Sequence, residues 1–93
     1  MPERSVTIAS RVGLHARPAA IFVKAASEQP ASVTIVKVGS GADPVAAASI
    51  LGVMTLGAEF GDEVIIAAEG EGAEESLDAL AALLAKDLDA EEA

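Results

Sequence analysis

Gly13-Leu14-His15-Ala16-Arg17-Pro18-Ala19-Ala20-Ile21-Phe22-Val23-Lys24-Ala25-Ala26-Ser27 is the stretch that decides the organisation of this chain. Between Ala16 and Ser27 there is no glycine, and Ala19, Phe22, Val23 and Ala26 recur at the spacing of one helical face. Pro18 falls in the first turn, where the N–H it lacks would have had no acceptor. The pattern therefore predicts an amphipathic helix that starts near His15 or Ala16, entered through a turn at Val12-Gly13 and closed before Pro30.

Ahead of this helix, Arg4 to Ala9 alternates with Val6 and Ile8 on one side, which predicts a half-buried strand. Behind it, Val33 and Ile35, extending to Lys37 and Val38, predict a second strand that runs into a glycine-rich turn at 39–43. Pro44 favours an edge position or a strand start, so Val45 to Ala47 is read as a short third strand. Ser49 is placed to cap a brief helix over Ile50 to Thr55. Gly57 and Gly61 then punctuate the chain before a fourth strand, Glu63 to Glu69, in which the adjacent Ile65 and Ile66 leave the inward face open. After Gly70 and Gly72, Ala73 to Leu88 carries Leu77, Leu80, Ala81, Leu84 and Leu88 on one stripe, with Glu74, Glu75 and Asp78 early and Lys86 late, as the helix dipole favours. The order is βαββαβα, an α+β chain. Four short strands forming a mainly antiparallel sheet, with the helices over its apolar face, are the two-layer solution for this size. Residues 1–93 read as one domain, with an ordered core over about 3–88 and an acidic tail at 89–93.

Composition excludes several function classes. With no cysteine and one histidine in 93 residues, neither a disulfide scaffold nor a cysteine- or histidine-based metal site is expected. The net charge of −9 disfavours nucleic acid and anionic membrane surfaces. That charge is uneven: residues 1–58 carry five basic and three acidic side chains, residues 59–93 one basic and twelve acidic. No run of apolar residues is long enough for a signal peptide or a membrane span, so a cytoplasmic protein is expected. Small size without a long apolar surface run points to a monomer with transient partners.

The only histidine sits where a turn becomes a helix. The first turn of a helix presents N–H groups without intrahelical acceptors and the positive end of the dipole, so a phosphoryl group on His15 would meet the backbone amides of Ala16 and Arg17. The Arg17 guanidinium supplies further donors and a fixed cation. A neutral imidazole is a competent nucleophile near neutral pH. The dipole contributes only ~0.3–1 kcal/mol in exposed geometry, too little to drive phosphoryl transfer by itself. The chain has no glycine-rich nucleotide loop with its lysine and no acidic metal cluster near His15, which excludes an autonomous kinase or ATPase. The residues describe a phosphoryl-transfer intermediate without a cofactor, not an enzyme acting alone.

The segment from Gly13 to Ala20, followed by Phe22-Val23, closely resembles the active-site motif of the HPr family, the histidine-containing phosphocarriers of the phosphoenolpyruvate-dependent sugar phosphotransferase system. The resemblance continues through Ser49-Ile50-Leu51-Gly52-Val53-Met54-Thr55-Leu56-Gly57 and the final helix, covering about residues 3–88. It implies an open-faced β-sandwich with three helices on one side of a four-stranded antiparallel sheet. It also implies that His15 takes a phosphoryl group on Nδ1 from phosphorylated enzyme I and passes it to sugar-specific enzyme IIA domains, and that Arg17 stabilises the phosphate. Arg17, Ala20, Ile21 and Lys24, opposite the buried stripe of the first helix, and Ile50, Leu51 and Met54 on the short helix are the expected partner surface. Ile50 and Leu51 are adjacent, so at least one of the two is expected in the core. In many relatives the serine matching Ser49 is a regulatory phosphorylation site. Here Ala48 stands where many relatives have lysine, and the 39–45 connection is about three residues longer. Two other readings stay open: an adaptor that binds a regulatory kinase or transcription regulator, and a carrier in a nitrogen-related or dihydroxyacetone-related relay.

Overall fold

The computed structural model describes residues 2–11, 13–14 and 16–86. The elements keep the expected order: β1 (Glu3–Thr7), α1 (Ala16–Ser27), β2 (Ser32–Lys37), β3 (Val45–Ala46), α2 (Ile50–Thr55), β4 (Glu63–Glu69) and α3 (Ala73–Leu84). The four strands form one sheet in the order β1-β4-β2-β3, every pair antiparallel. The last strand in sequence thus enters the middle of the sheet, with Ile66 opposite Arg4 on one side and Ile35 on the other. The three helices leave the opposite face of the sheet open, as the expected architecture requires.

Period-2 alternation decides which face is which. Val33 and Ile35 of β2 and Val64, Ile66 and Ala68 of β4 are buried against the helices. Ile65 points to the open face and is half-buried, which resolves the ambiguity left by the paired isoleucines. From above, α1 contributes Ala19, Phe22 and Ala26, and α3 contributes Leu77, Leu80 and Leu84, all buried. Each of the larger side chains brings about 1.5–3 kcal/mol of burial free energy. The core therefore rests on a few leucines, isoleucines, valines and one phenylalanine, with alanines filling the gaps.

The ends of several elements differ from the sequence expectation, each because a backbone group finds another partner. β1 stops at Thr7, not Ala9: the Ile8 N–H donates to the Asp62 carbonyl at 2.8 Å and the Ile8 carbonyl accepts from the Gly61 N–H at 2.9 Å. Ile8 stays buried, but it belongs to a junction with the 57–62 loop. β3 ends at Ala46, after which the Ala47 N–H donates to the Val33 carbonyl at 2.9 Å. α3 ends at Leu84 instead of Leu88, and Lys86 lies beyond its last turn. The Leu84 carbonyl accepts the Ala9 N–H at 3.2 Å, so the helix end is used to hold the segment leading toward residue 13. Leu88 and the tail at 89–93 lie outside the described residues.

At its start α3 is held by shape. Gly72 has φ 80°, and a Cβ there would come within 2.7 Å of the Pro30 ring, so only glycine fits. One turn later the buried Ser76 hydroxyl accepts the Ala31 N–H at 3.4 Å. These contacts join the 30–31 segment to the start of α3.

Candidate functional site

His15 itself lies outside the described residues, and so does the Ala16 side chain; the backbone on either side of His15 is described. On the upstream side, Leu14 is an anchor, 1 % exposed, with its N–H donating to the Ala58 carbonyl at 2.9 Å. Gly13 donates to the Ser10 carbonyl at 2.9 Å and has φ 71°. A Cβ on Gly13 would sit 2.5 Å from the Ala58 carbonyl oxygen and 2.9 Å from the Glu59 Cα. The turn ahead of His15 therefore rests directly on the 57–62 loop, and glycine is what permits the contact. On the downstream side, Ala16 is the first residue of α1 and Pro18 is buried within its first turn.

The first turn of α1 contains no acidic residue. Its opening N–H groups, those of Ala16 and Arg17 included, have no intrahelical acceptor, and no carboxylate of that turn offsets the dipole. Arg17, Ala20 and Lys24 are exposed along the outer side of the helix and Ile21 is half-buried, as the helical spacing predicts. This is an arrangement suited to an anion at the helix start and to a protein surface docking alongside it.

α2 packs beside α1. Ser49 caps it, accepting the Gly52 N–H at 3.1 Å, as expected. Val53 is its buried residue, while Ile50 is 39 %, Leu51 76 % and Met54 44 % exposed. The expectation that Ile50 or Leu51 belongs to the core is corrected: both face solvent. The reason is Gly52, whose missing side chain lets the six-residue helix settle on β3, where an added Cβ would lie 3.2 Å from the Val45 Cβ. With Gly52 and Val53 turned inward, both apolar residues ahead of them turn out. Three apolar side chains thus stand exposed beside α1.

Sequence reasoning missed the support beneath the turn. The Lys37 ammonium at the end of β2 donates to the Gly57 carbonyl at 3.3 Å and lies 3.4 Å from Asp62 Oδ2. The same carboxylate oxygen accepts the Glu59 N–H at 2.8 Å. That N–H and, after it, the Lys37 charge hold the Asp62 carboxyl below its ordinary value, against the opposing effect of partial burial. The only sequence signal was the pair of glycines bracketing the loop. Phe60 in the same loop, 60 % exposed, carries no pattern in the sequence that marks it as a surface residue. Among the described residues no group of three or more histidine, cysteine, aspartate or glutamate side chains is placed to hold a metal ion, and no helix is long and apolar enough to cross a membrane.

Comparison with known proteins agrees with this geometry. Residues 2–86 match the family model described as the PTS HPr component phosphorylation site. The chain is 48 % identical over 89 residues to the phosphocarrier protein HPr of Streptomyces coelicolor, covering 96 % of this chain and 94 % of that one. It is 38 % identical to the HPr-like protein Crh of Bacillus subtilis, covering 95 % of this chain and all of the relative. Its backbone superposes on the crystal structure of an HPr from Thermoanaerobacter tengcongensis with a TM-score of 0.86 at 38 % identity, over 96 % of this chain and 97 % of the other.

Proposed function

The chain belongs to the HPr family of phosphocarriers and works as an intermediate in a phosphotransferase-type relay, and from that premise we propose that His15 is the residue that carries the phosphoryl group. In this reading an imidazole nitrogen of His15 attacks the phosphorus held by phosphorylated enzyme I. A new P–N bond forms as the donor's bond to phosphorus breaks, and the reverse exchange delivers the group to an enzyme IIA domain. Arg17 and the first amides of α1 carry the negative charge of the bound phosphoryl group, and no step needs a metal or organic cofactor on this chain.

The observation that supports this reading best is the treatment of the two flanks of His15. The upstream backbone is fixed through Leu14 on Ala58, and the downstream backbone opens a helix whose first turn has no acid. Fixing the backbone on both flanks reduces the conformational search that a nucleophile between them must make. Ala20, Lys24, Ile50, Leu51 and Met54 serve as the surface on which donor and acceptor dock in turn, apolar contact giving adhesion and the cations giving orientation. Ser49 acts first as the cap of α2. A phosphate on it would keep that cap while placing negative charge beside the docking surface. The family match over residues 2–86 supports reading the chain as one domain.

The deciding experiment is intact-mass analysis after incubation with enzyme I, phosphoenolpyruvate and Mg²⁺. A single phosphoryl addition, lost in mild acid and absent from His15→Ala, is expected. An addition that survives acid, or that persists in His15→Ala, would remove His15 from the role.

A further inference from the structure

We propose that Lys37 and Asp62 are positioning residues for the phosphoryl acceptor, bracing the 57–62 loop on which the backbone ahead of His15 is seated. The inference rests on the carrier reading of His15. Its basis is a chain of short contacts that begins at the end of β2 and finishes one residue from His15.

The Lys37 ammonium touches both ends of the loop, the Gly57 carbonyl at 3.3 Å and Asp62 Oδ2 at 3.4 Å. Asp62 folds back on the loop from its far end: its carboxylate accepts the Glu59 N–H at 2.8 Å and its own N–H donates to the Glu59 carbonyl at 3.0 Å. Its carbonyl accepts the Ile8 N–H at 2.8 Å, which ties the loop to the end of β1. Inside this cross-brace lies Ala58, fully buried, whose carbonyl receives the Leu14 N–H at 2.9 Å. Leu14 is bonded directly to His15. A lateral shift of Ala58 would therefore strain the Leu14 N–H bond and the close approach of Gly13 to the Ala58 carbonyl, one and two residues ahead of the acceptor.

The brace is well placed but individually modest. The Lys37 and Asp62 side chains are 31 % and 33 % exposed, so solvent screens their attraction only in part. An interaction of that size does not hold a fold together. It does shift how often a short loop visits displaced positions, and nucleophilic transfer is sensitive to displacements of about 1 Å. The ion pairs of Arg4 with Glu74 at 3.1 Å and Asp78 at 2.6 Å, by contrast, join β1 to α3 and do not contact the 57–62 loop. They supply a matched control for the loss of a surface cation.

The experiment compares the wild-type protein with Lys37→Met, Lys37→Arg, Asp62→Asn and Arg4→Met. Two readouts are taken: amide hydrogen exchange at Leu14 in the free protein, and kcat and KM for phosphoryl acceptance from enzyme I charged with phosphoenolpyruvate. Lys37→Met and Asp62→Asn are expected to speed Leu14 exchange and to lower kcat, each by roughly three- to ten-fold, with KM unchanged within about two-fold. Lys37→Arg restores both, and Arg4→Met alters neither. The proposal is overturned if Lys37→Met accepts phosphate at the wild-type kcat, or if Arg4→Met lowers kcat as much as Lys37→Met does. A wild-type protein that takes no phosphate defeats the carrier reading and this inference together; a labelled wild type beside an unaffected Lys37→Met defeats this inference alone.

Discussion

α1 and α3 are both twelve residues long and both lay one apolar stripe over the same sheet, yet their outer faces are built on opposite plans. α3 opens with Glu74 and Glu75 in its first turn, and Glu74 and Asp78 grip Arg4 of the neighbouring strand. Its dipole is compensated and its outer face is tied down. α1 opens with Arg17 and Pro18 and has no acid in its first turn, although acidic residues outnumber basic ones by fifteen to six in the chain as a whole. Compensating acids at a helix start bring ~0.3–1 kcal/mol. α1 has no such acid within its own first turn, at the one helix start that comes directly after the histidine. The contrast separates the shared task of the inner faces, which is packing, from the divided tasks of the outer faces, which are anchoring on the α3 side and, in the proposed reading, anion binding with docking on the α1 side.

The severest test of this contrast is whether the inner faces are truly equivalent. Phe22→Ala in α1 is expected to cost ~3–5 kcal/mol and Leu80→Ala in α3 ~2–5 kcal/mol, because both side chains are fully buried and leave cavities. Urea denaturation measures both. A loss below 1 kcal/mol at either site, a threshold about half the low end of the usual range, would mean that one helix carries the sheet alone. Next in size come the two arginines. Arg17→Ala should slow phosphoryl acceptance by roughly 10- to 100-fold, the worth of one charged hydrogen bond to the transferred group. Arg4→Met should leave acceptance intact and produce only a small, salt-screened loss of stability. Equal effects of the two substitutions on acceptance would erase the functional half of the contrast.

The inner faces were legible in the sequence because they are periodic. Phe22, Ala26, Leu77, Leu80 and Leu84 repeat at helical spacing, and the glycines at 70 and 72 mark a boundary that the structure keeps. Boundaries set by through-space partners were not legible. β1 ends where Ile8 meets Asp62, and α3 ends where Leu84 meets Ala9, contacts between residues more than fifty positions apart. The outward turn of both Ile50 and Leu51 depends on Gly52 approaching Val45, which a six-residue helix has too few positions to reveal as a pattern. At the site, the motif from Gly13 to Pro18 carried the chemistry by resemblance. The brace formed by Lys37 and Asp62 had no local signature, since its members belong to different strand ends and meet only in the folded sheet.

The same division recurs on a smaller scale in α2. α3 has no side-chain cap, since Gly72 fits against Pro30, whereas α2 relies on the Ser49 hydroxyl. Ser49→Ala is expected to cost about 1 kcal/mol. The loss should be local, with faster amide exchange confined to the start of α2 and, if Ile50, Leu51 and Met54 form the proposed docking surface, weaker binding of enzyme I. Uniformly faster exchange extending into α3 would show that α2 and the anchored side are one cooperative unit.

The smallest expected effect concerns the acid that serves the α1 side without facing it. Asp62 titrates below its ordinary value in the folded chain, chiefly because it accepts the Glu59 N–H and secondarily because Lys37 is near. Above the ordinary carboxylate value, about 3.9, the group is ionised whether the chain is folded or not, so its full contribution to stability is present. As pH falls below that value the unfolded chain takes up the proton first. The contribution then shrinks and is gone once pH passes the lower folded value. Asp62→Asn removes this dependence, so the stability gap between wild type and variant should be constant from neutral pH to about pH 5 and narrow from about pH 4 downward. Urea midpoints at a series of pH values test it. Lys37→Met should leave part of the narrowing in place, because the larger cause, the Glu59 N–H, remains. A gap that stays constant through acid pH would mean that the Asp62 carboxylate does not hold the loop, and that the turn before His15 owes its position to the Gly13 and Leu14 contacts alone.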